Sequence, residues 1–473
     1  MKRRSFFGNT AALFVMNVAS AGLMFFFMVY LARHLGDVGF GKFSFAVSFT
    51  GLFGVLVHLG LDMLLTREIA RDKGKSSYYV GLAAGIRVLS SIFTVGLIFL
   101  AINLMGYPSD TKTLVYVFGF YVVLSYFARL YKAVLQAHER MDQQALVEIA
   151  SKLVVTLAGI LVLHYGGGLY AVAGVFLLGS LVDFLLSMFV CARYYTAVSP
   201  RVDAVEWSRM LTEAFPFFLS YGLLMVSFRI DVVLLSFLQT DAVVGWYSAA
   251  YKFLEGLNMF PDIVVVAAFP VFSRLYKTSR GRLGAMYSNI VSFFLVLGLP
   301  MAVGTTILAS DLVGVFFGSQ FENAVVALRI LVWSEVAVFV YYTTGTLLNA
   351  VNLQKTNLRA VALGACANVL INLALIPHFA HVGAAYAKLV SETLVAAYGI
   401  IALHQAGFRL KIGSLLAKVV LASAVMAAVV YHLQWLGIKA IPVGALTYFA
   451  ALWLFWRPSS ADIKKILASF TEP

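Results

Sequence analysis

Charged residues are scarce in this sequence, at 12% against roughly 25% in an ordinary soluble domain, while 61% of its 473 residues are hydrophobic against roughly 45–50%. That balance excludes a soluble enzyme, because most of the chain must face lipid or other apolar helices. Cysteine is nearly missing. Cys191 and Cys366 both lie inside apolar runs and form neither a disulfide framework nor a metal-ligand cluster, so they read as structural thiols. No H-E-x-x-H pair for zinc occurs, and the eight histidines mostly sit near the ends of apolar runs, where interfacial packing accounts for them. Gly166-Gly167-Gly168 lacks the Lys-Ser/Thr of a phosphate-cradling loop and reads as a tight turn. No metal site, cofactor or catalytic residue is expected. Long polar loops and paired-acidic D-x-D motifs are also missing. A membrane-bound polymerase or glycosyltransferase, the alternative from another functional class, would need such equipment.

What is present is a series of long apolar runs. Runs of 18 or more residues recur from end to end, each able to cross a hydrocarbon core of roughly 30 Å as a helix. The fold class is therefore all-α, a polytopic membrane protein with about 14 transmembrane helices. Spans 1–8 are placed at 9–33, 41–65, 80–105, 113–137, 146–165, 168–194, 213–239 and 242–272. Spans 9–14 follow at 284–308, 323–351, 358–377, 381–406, 413–433 and 438–456.

Although the net charge is +13, the basic residues stand between apolar runs rather than on one face, which argues against a nucleic-acid partner and for membrane lipids. Alternate loops hold most of them, including Lys2, Arg3 and Arg4, the Arg67–Lys75 stretch and Arg274–Arg282, so both termini are expected in the cytoplasm by the positive-inside rule. The basic opening Met1–Ser5 has no small-residue cleavage site after it and reads as the start of an uncleaved span. A cell membrane, inner or plasma, is the expected location.

Asp37-Val38-Gly39-Phe40-Gly41-Lys42-Phe43-Ser44-Phe45-Ala46 and Asp241-Ala242-Val243-Val244-Gly245-Trp246-Tyr247-Ser248-Ala249-Ala250 share the pattern D-x-x-x-G-x-aromatic-S-x-A. Leu135-Gln136-Ala137 and Leu348-Asn349-Ala350 form a second, weaker echo. The repeat divides the chain into a six-helix half over 1–194, a cytoplasmic linker over 195–212 and a second six-helix half over 213–406. Two additional helices over 413–456 and a cytoplasmic tail over 457–473 complete it. Parallel repeats of this kind are a transporter architecture with the substrate site between halves.

Ionisable groups inside spans cost at least roughly 2.5–3.5 kcal/mol each at the bilayer centre, so they normally face a cavity or a partner. Arg229 and Asp231 in span 7 should share a depth with Lys252 and Glu255 in span 8. Two readings stand side by side: an ion-pair network locking two spans, or cations that attract a phosphate while the carboxylates hold them or exchange protons. Lys388 and Glu392 in span 12 lie four apart, on one helical face: an internal pair is expected there, with Lys388 also a candidate for binding the substrate's phosphate and Glu392 for ion coupling. Glu335 in span 10 and Asp183 in span 6 have no charged neighbour within a turn. Each needs a tertiary partner or neutrality, and each is a candidate for coupling protons or sodium. Arg87 and Arg129 are further candidates for phosphate, since a guanidinium binds it in two-pronged fashion, whereas Lys132 is expected to snorkel to the interface. Pro261 and Pro270 interrupt span 8 and read as either static kinks or a hinge.

The chain resembles the polysaccharide-biosynthesis flippases, the O-antigen type especially, of the multidrug, oligosaccharidyl-lipid and polysaccharide exporter superfamily. The stretches that carry the resemblance are Tyr30–Gly36 with Gly39–Phe43, Gly60-Leu61-Asp62, Thr66–Ile69, and Gly245–Lys252. The resemblance implies two six-helix halves rocking about a central cavity, and movement of a polyprenyl-pyrophosphate-linked oligosaccharide repeat unit from the cytoplasmic to the outer leaflet. It also implies drive by a proton or sodium gradient, with Arg229, Lys252 and Arg87 in the role of pyrophosphate-binding cations, and a polysaccharide polymerase and glycosyltransferases as partners. Within the superfamily, lipid II flippases and drug-cation antiporters are the alternatives. Span 1 carries no charge between Asn9 and Tyr30, unlike the arginine-bearing first span of lipid II flippases and the acidic groups of cation exporters.

Overall fold

The computed structural model describes residues 6–195 and 200–456. The basic opening Met1–Ser5, residues 196–199 of the expected linker and the expected tail 457–473 lie outside the described residues. Among the described residues there is no strand. The helices are α1 (Phe6–His58), α2 (Leu61–Arg71), α3 (Ser76–Leu104), α4 (Ser109–Ala137), α5 (Met141–His164), α6 (Leu169–Tyr194) and α7 (Ala204–Leu238). They continue as α8 (Asp241–Leu257), α9 (Met259–Thr278), α10 (Arg280–Phe316), α11 (Ala324–Ala350), α12 (Gln354–Gln405), α13 (Gly413–His432) and α14 (Ala440–Trp456).

Eleven helical stretches among the described residues are long and apolar enough to cross a membrane, and this is a multi-pass membrane protein. Two of them, Ser20–Arg71 and Gln354–Gln405, run for 52 residues. At 1.5 Å per residue each is far longer than one crossing of a roughly 30 Å core. Each is broken where a turn would sit: α1 leaves helical geometry at Gly36 and α12 at Ala380. The expected span 8 is also two helices, α8 and α9, parted at Asn258. Pro261 stands in the first turn of α9, where its missing N–H costs no helical bond.

The chain divides into two compact units between Gly245 and Trp246. In the first, α2, α3, α4 and α7 enclose a core of Leu61, Leu65, Leu82, Leu130, Val134 and Ala214. Aromatic rings bind α1, α4 and α6, with Phe43 5.4 Å from Phe118 and 5.2 Å from Phe176. The outward faces are apolar as well: Ile92, Phe93 and Leu104 of α3 are exposed, as suits contact with lipid chains. In the second unit α9, α10 and α11 share a core around Phe272, Tyr287, Phe294 and Phe339. A satellite core joins α10, α13 and α14 through Leu308, Met426 and Tyr448.

The repeated D-x-x-x-G motif has a direct structural cause. Asp37–Gly41 of the first copy and Asp241–Gly245 of the second lie against each other inside the first unit: a Cβ on Gly41 would strike the carbonyl of Asp241, and a Cβ on Gly245 would strike the carbonyl of Asp37. Only glycine at both places allows that backbone approach. Lys42, next to the crossing, pairs with Asp110 and stands 4.0 Å from Asp241.

Candidate functional site

The break between α1 and α2 builds the first half of the site. Leu59 and Gly60 both take left-handed backbone, at φ 48° and 73°, which ends α1 and turns the chain into α2. At Gly60 a Cβ would lie 2.5 Å from the carbonyl of Ala214 on α7, so this glycine answers both a conformational and a steric demand. Gly60→Ala is expected to destabilise the protein by about 1–3 kcal/mol, read as earlier thermal unfolding in detergent.

The turn delivers Asp62 to three donors. Oδ1 accepts from Arg87 Nη2 at 2.8 Å, and Oδ2 accepts from Arg129 Nε at 3.0 Å and faces His58 Nε2 at 3.3 Å. The Gly60 amide donates to His58 Nδ1 at 3.1 Å, which leaves the ring proton on Nε2, directed at Asp62. Arg87 is wholly buried and also donates to the Tyr126 carbonyl at 2.6 Å. Arg129 differs. Its side chain is 45% exposed, it lies 5.5 Å from the centroids of both Tyr126 and Tyr221, and Nη1 reaches the Tyr221 hydroxyl at 3.4 Å. Two aromatic faces hold a guanidinium by cation–π attraction while leaving its donors available. The His58 ring stacks on Tyr221 at 3.9 Å, completing the wall.

These groups open onto a polar cavity of about 640 Å³ within the first unit, between α2, α4, α5, α6 and α7. On its far side Lys132 pairs with Asp183 at 2.9 Å and with Glu148 at 3.6 Å. Asp183 thus has the tertiary partner it required. Lys132 does not snorkel: this pair of carboxylates holds it inside. Arg129 and Lys132 therefore both enter the cavity with counter-ions beside them. Arg229 does not. It is half-buried on α7, within electrostatic reach of the cavity-lining Tyr121, and among the described residues no carboxylate lies within ion-pair distance of it. Asp231, two residues on, is buried.

The remaining candidates belong to the second unit. Lys252 and Glu255 pair along α8 at 2.5 Å, and Lys388 and Glu392 pair along α12 at 2.8 Å, as their spacings required. Lys388 is 2% exposed and stands 5.9 Å from the centroid of Tyr251. Glu335 on α11 is 4% exposed and accepts from Asn258 Nδ2 at 3.3 Å.

The family model for polysaccharide biosynthesis proteins matches residues 6–276, which hold the whole of the cavity just described. The chain belongs to this family. This polysaccharide biosynthesis protein is similar to a probable low-salt glycan biosynthesis flippase of Haloferax volcanii, 23% identical over 81% of this chain and 80% of the relative. It is also similar to a putative O-antigen transporter of Shigella dysenteriae, 22% identical over 66% of this chain and 78% of the relative. Among solved structures, a lipid II flippase in an inward closed conformation shares its fold at a TM-score of 0.79, with 16% identity over 94% of this chain and 99% of that one.

Within this polysaccharide biosynthesis protein, the residues that sequence reasoning left out of the site are Asp62, His58, Tyr126 and Tyr221. Asp62 carried a signal: it is an ionisable group inside the expected span 41–65, and it follows the glycine of the Gly60-Leu61-Asp62 motif.

Proposed function

We propose that this chain moves a polyprenyl-pyrophosphate-linked oligosaccharide repeat unit from the cytoplasmic to the outer leaflet, by alternating access, for cell-surface polysaccharide biosynthesis. The relatives are named as flippases and transporters rather than as enzymes, which favours transport over polymerisation or glycosyl transfer. The observation that carries the reading is the polar cavity within the first unit. There Arg129 keeps donors free between two tyrosine faces, and Arg229 stands nearby with no carboxylate in ion-pair range among the described residues. A pyrophosphate supplies the anion such donors lack. Asp62 holds Arg129 in place while the site is empty of substrate, and the incoming phosphate oxygens compete with Asp62 for that guanidinium.

The breaks at Gly36, Ala380 and Asn258 support counting each long stretch as two crossings and α8 with α9 as one. On that count the spans number fourteen; the basic residues of alternate loops favour placing both termini in the cytoplasm, in a plasma membrane. Six-helix halves over 1–194 and 213–406 then rock about the substrate, driven by an ion gradient. A polymerase and glycosyltransferases act before and after it. The uncharged stretch between Asn9 and Tyr30 separates this reading from that of a lipid II flippase, whose fold the chain shares.

The test is complementation in cells whose own copy of the gene is deleted. Wild-type protein restores surface polysaccharide, while Arg129→Ala, present in the membrane at the same level, does not. Full restoration by Arg129→Ala removes this residue from the substrate path.

A further inference from the structure

Outside the first-unit cavity, one buried pair is chemically incomplete. Glu335 of α11 and the side chain of Asn258 share a single long hydrogen bond, Nδ2 to Oε1 at 3.3 Å. Their other oxygens, Glu335 Oε2 and Asn258 Oδ1, are buried and have no hydrogen-bond partner among the described residues. Two acceptors facing a shortage of donors are a costly arrangement in a dry interior, where every buried polar group seeks a partner. One proton resolves both. Placed on Oε2, it makes the carboxyl a donor to Oδ1, and the acid and the amide then form a closed ring of two hydrogen bonds.

The location gives that ring a mechanical meaning. Asn258 is the residue at which α8 ends and α9 begins, three residues before Pro261. Glu335 lies on α11, which packs against α9, α10 and α12. The charged groups within its electrostatic reach are Lys388 and Glu392 of α12, already paired with each other at 2.8 Å; α9 and α10 bring none among the described residues. We propose that Glu335 is the proton-binding group that couples transport to a proton gradient, and that Asn258 transmits its protonation by fastening α11 to the α8–α9 break. With the proton bound, two hydrogen bonds hold the break; with the proton released to the other side, one long bond remains and the break is free to bend. Only two oxygens here lack partners, an ammonium stands in reach, and no cluster of three or more metal-ligating side chains occurs among the described residues. One proton supplies the donor that both oxygens lack, so the proton is the ion proposed for this pair.

This inference rests on the transport reading above, and its test has two separable arms. In the first, infrared difference spectra of the purified full chain are recorded across pH. A protonated-carboxyl band is expected that titrates in wild type, vanishes in Glu335→Gln and shifts in Asn258→Leu. Persistence of the same titrating band in Glu335→Gln overturns the proposal. In the second, liposomes carrying the chain and a fluorescent polyprenyl-pyrophosphate-linked sugar are given a pH gradient. Glu335→Gln keeps the ring, because its amide donates where the acid would, and so remains folded. It is expected to exchange lipid at one rate with or without the gradient, where wild type accelerates. Gradient-accelerated exchange in Glu335→Gln, or acceleration by sodium instead, overturns the coupling role and leaves flipping intact. An absence of exchange in wild type defeats the transport reading, and the infrared arm still decides whether Glu335 binds the proton.

Discussion

Asp62→Ala is expected to destabilise the protein by about 3–5 kcal/mol, the range for breaking a buried ion pair by removing one partner. The reason lies less in the lost aspartate than in what it leaves behind. Arg87 is wholly buried, and among the described residues its Nε has no hydrogen-bond partner and Asp62, at 2.8 Å, is its one carboxylate. Without that carboxylate a guanidinium remains inside the protein with the Tyr126 carbonyl for company. His58 and Arg129 lose their anchor in the same step, since both address Asp62 Oδ2. Thermal unfolding in detergent reads the effect. Removing both charges in an Asp62→Leu, Arg87→Met double variant is expected to recover much of the loss, because the charge then left without its carboxylate, Arg129, is 45% exposed rather than wholly buried. A single variant as stable as wild type contradicts this assignment.

Arg229→Ala is expected to behave in the opposite way, with stability kept and substrate binding weakened roughly ten- to hundredfold, the worth of about 1.5–3 kcal/mol for hydrogen bonds to a charged group. Arg229 is half-buried and makes no ion pair among the described residues, so its removal strands no carboxylate. Its contribution appears only when an anion arrives. Direct binding of a radiolabelled polyprenyl-pyrophosphate-linked sugar to the purified chain separates the two variants. Arg229→Lys is expected to recover part of the affinity, as a point charge replaces a two-pronged donor. Unchanged binding by Arg229→Ala removes this residue from the site.

The contrast between these arginines shows where sequence reasoning reaches and where it stops. The apolar runs reveal the membrane class because lipid demands them, and the breaks at Gly36 and Ala380 fall between spans placed from hydropathy alone. Pairs within one helix were legible too: spacings of three and four put Lys252 beside Glu255 and Lys388 beside Glu392. Pairs between helices were not. Nothing local announces that Asp183 meets Lys132, or that Asp62 reaches Arg87 and Arg129, because those contacts depend on how α2, α3, α4 and α6 pack. His58 was hidden for the same reason, being an interfacial histidine until Asp62 and Tyr221 are set against it. The turn at Leu59 and Gly60 was hidden by an apolar run that continues through it, and the break at Asn258 likewise interrupts what reads as one span. The repeated glycines of the D-x-x-x-G motif were visible as a pattern, but their reason, a backbone crossing of the two copies, needed the fold.

Leaflet exchange of a fluorescent polyprenyl-pyrophosphate-linked sugar, in liposomes carrying the purified chain, tests the central claim most directly. Exchange by the wild type, falling toward the protein-free rate in Arg229→Ala, is predicted. Exchange no faster than in protein-free liposomes, or the appearance of new glycosidic bonds in its place, would contradict it.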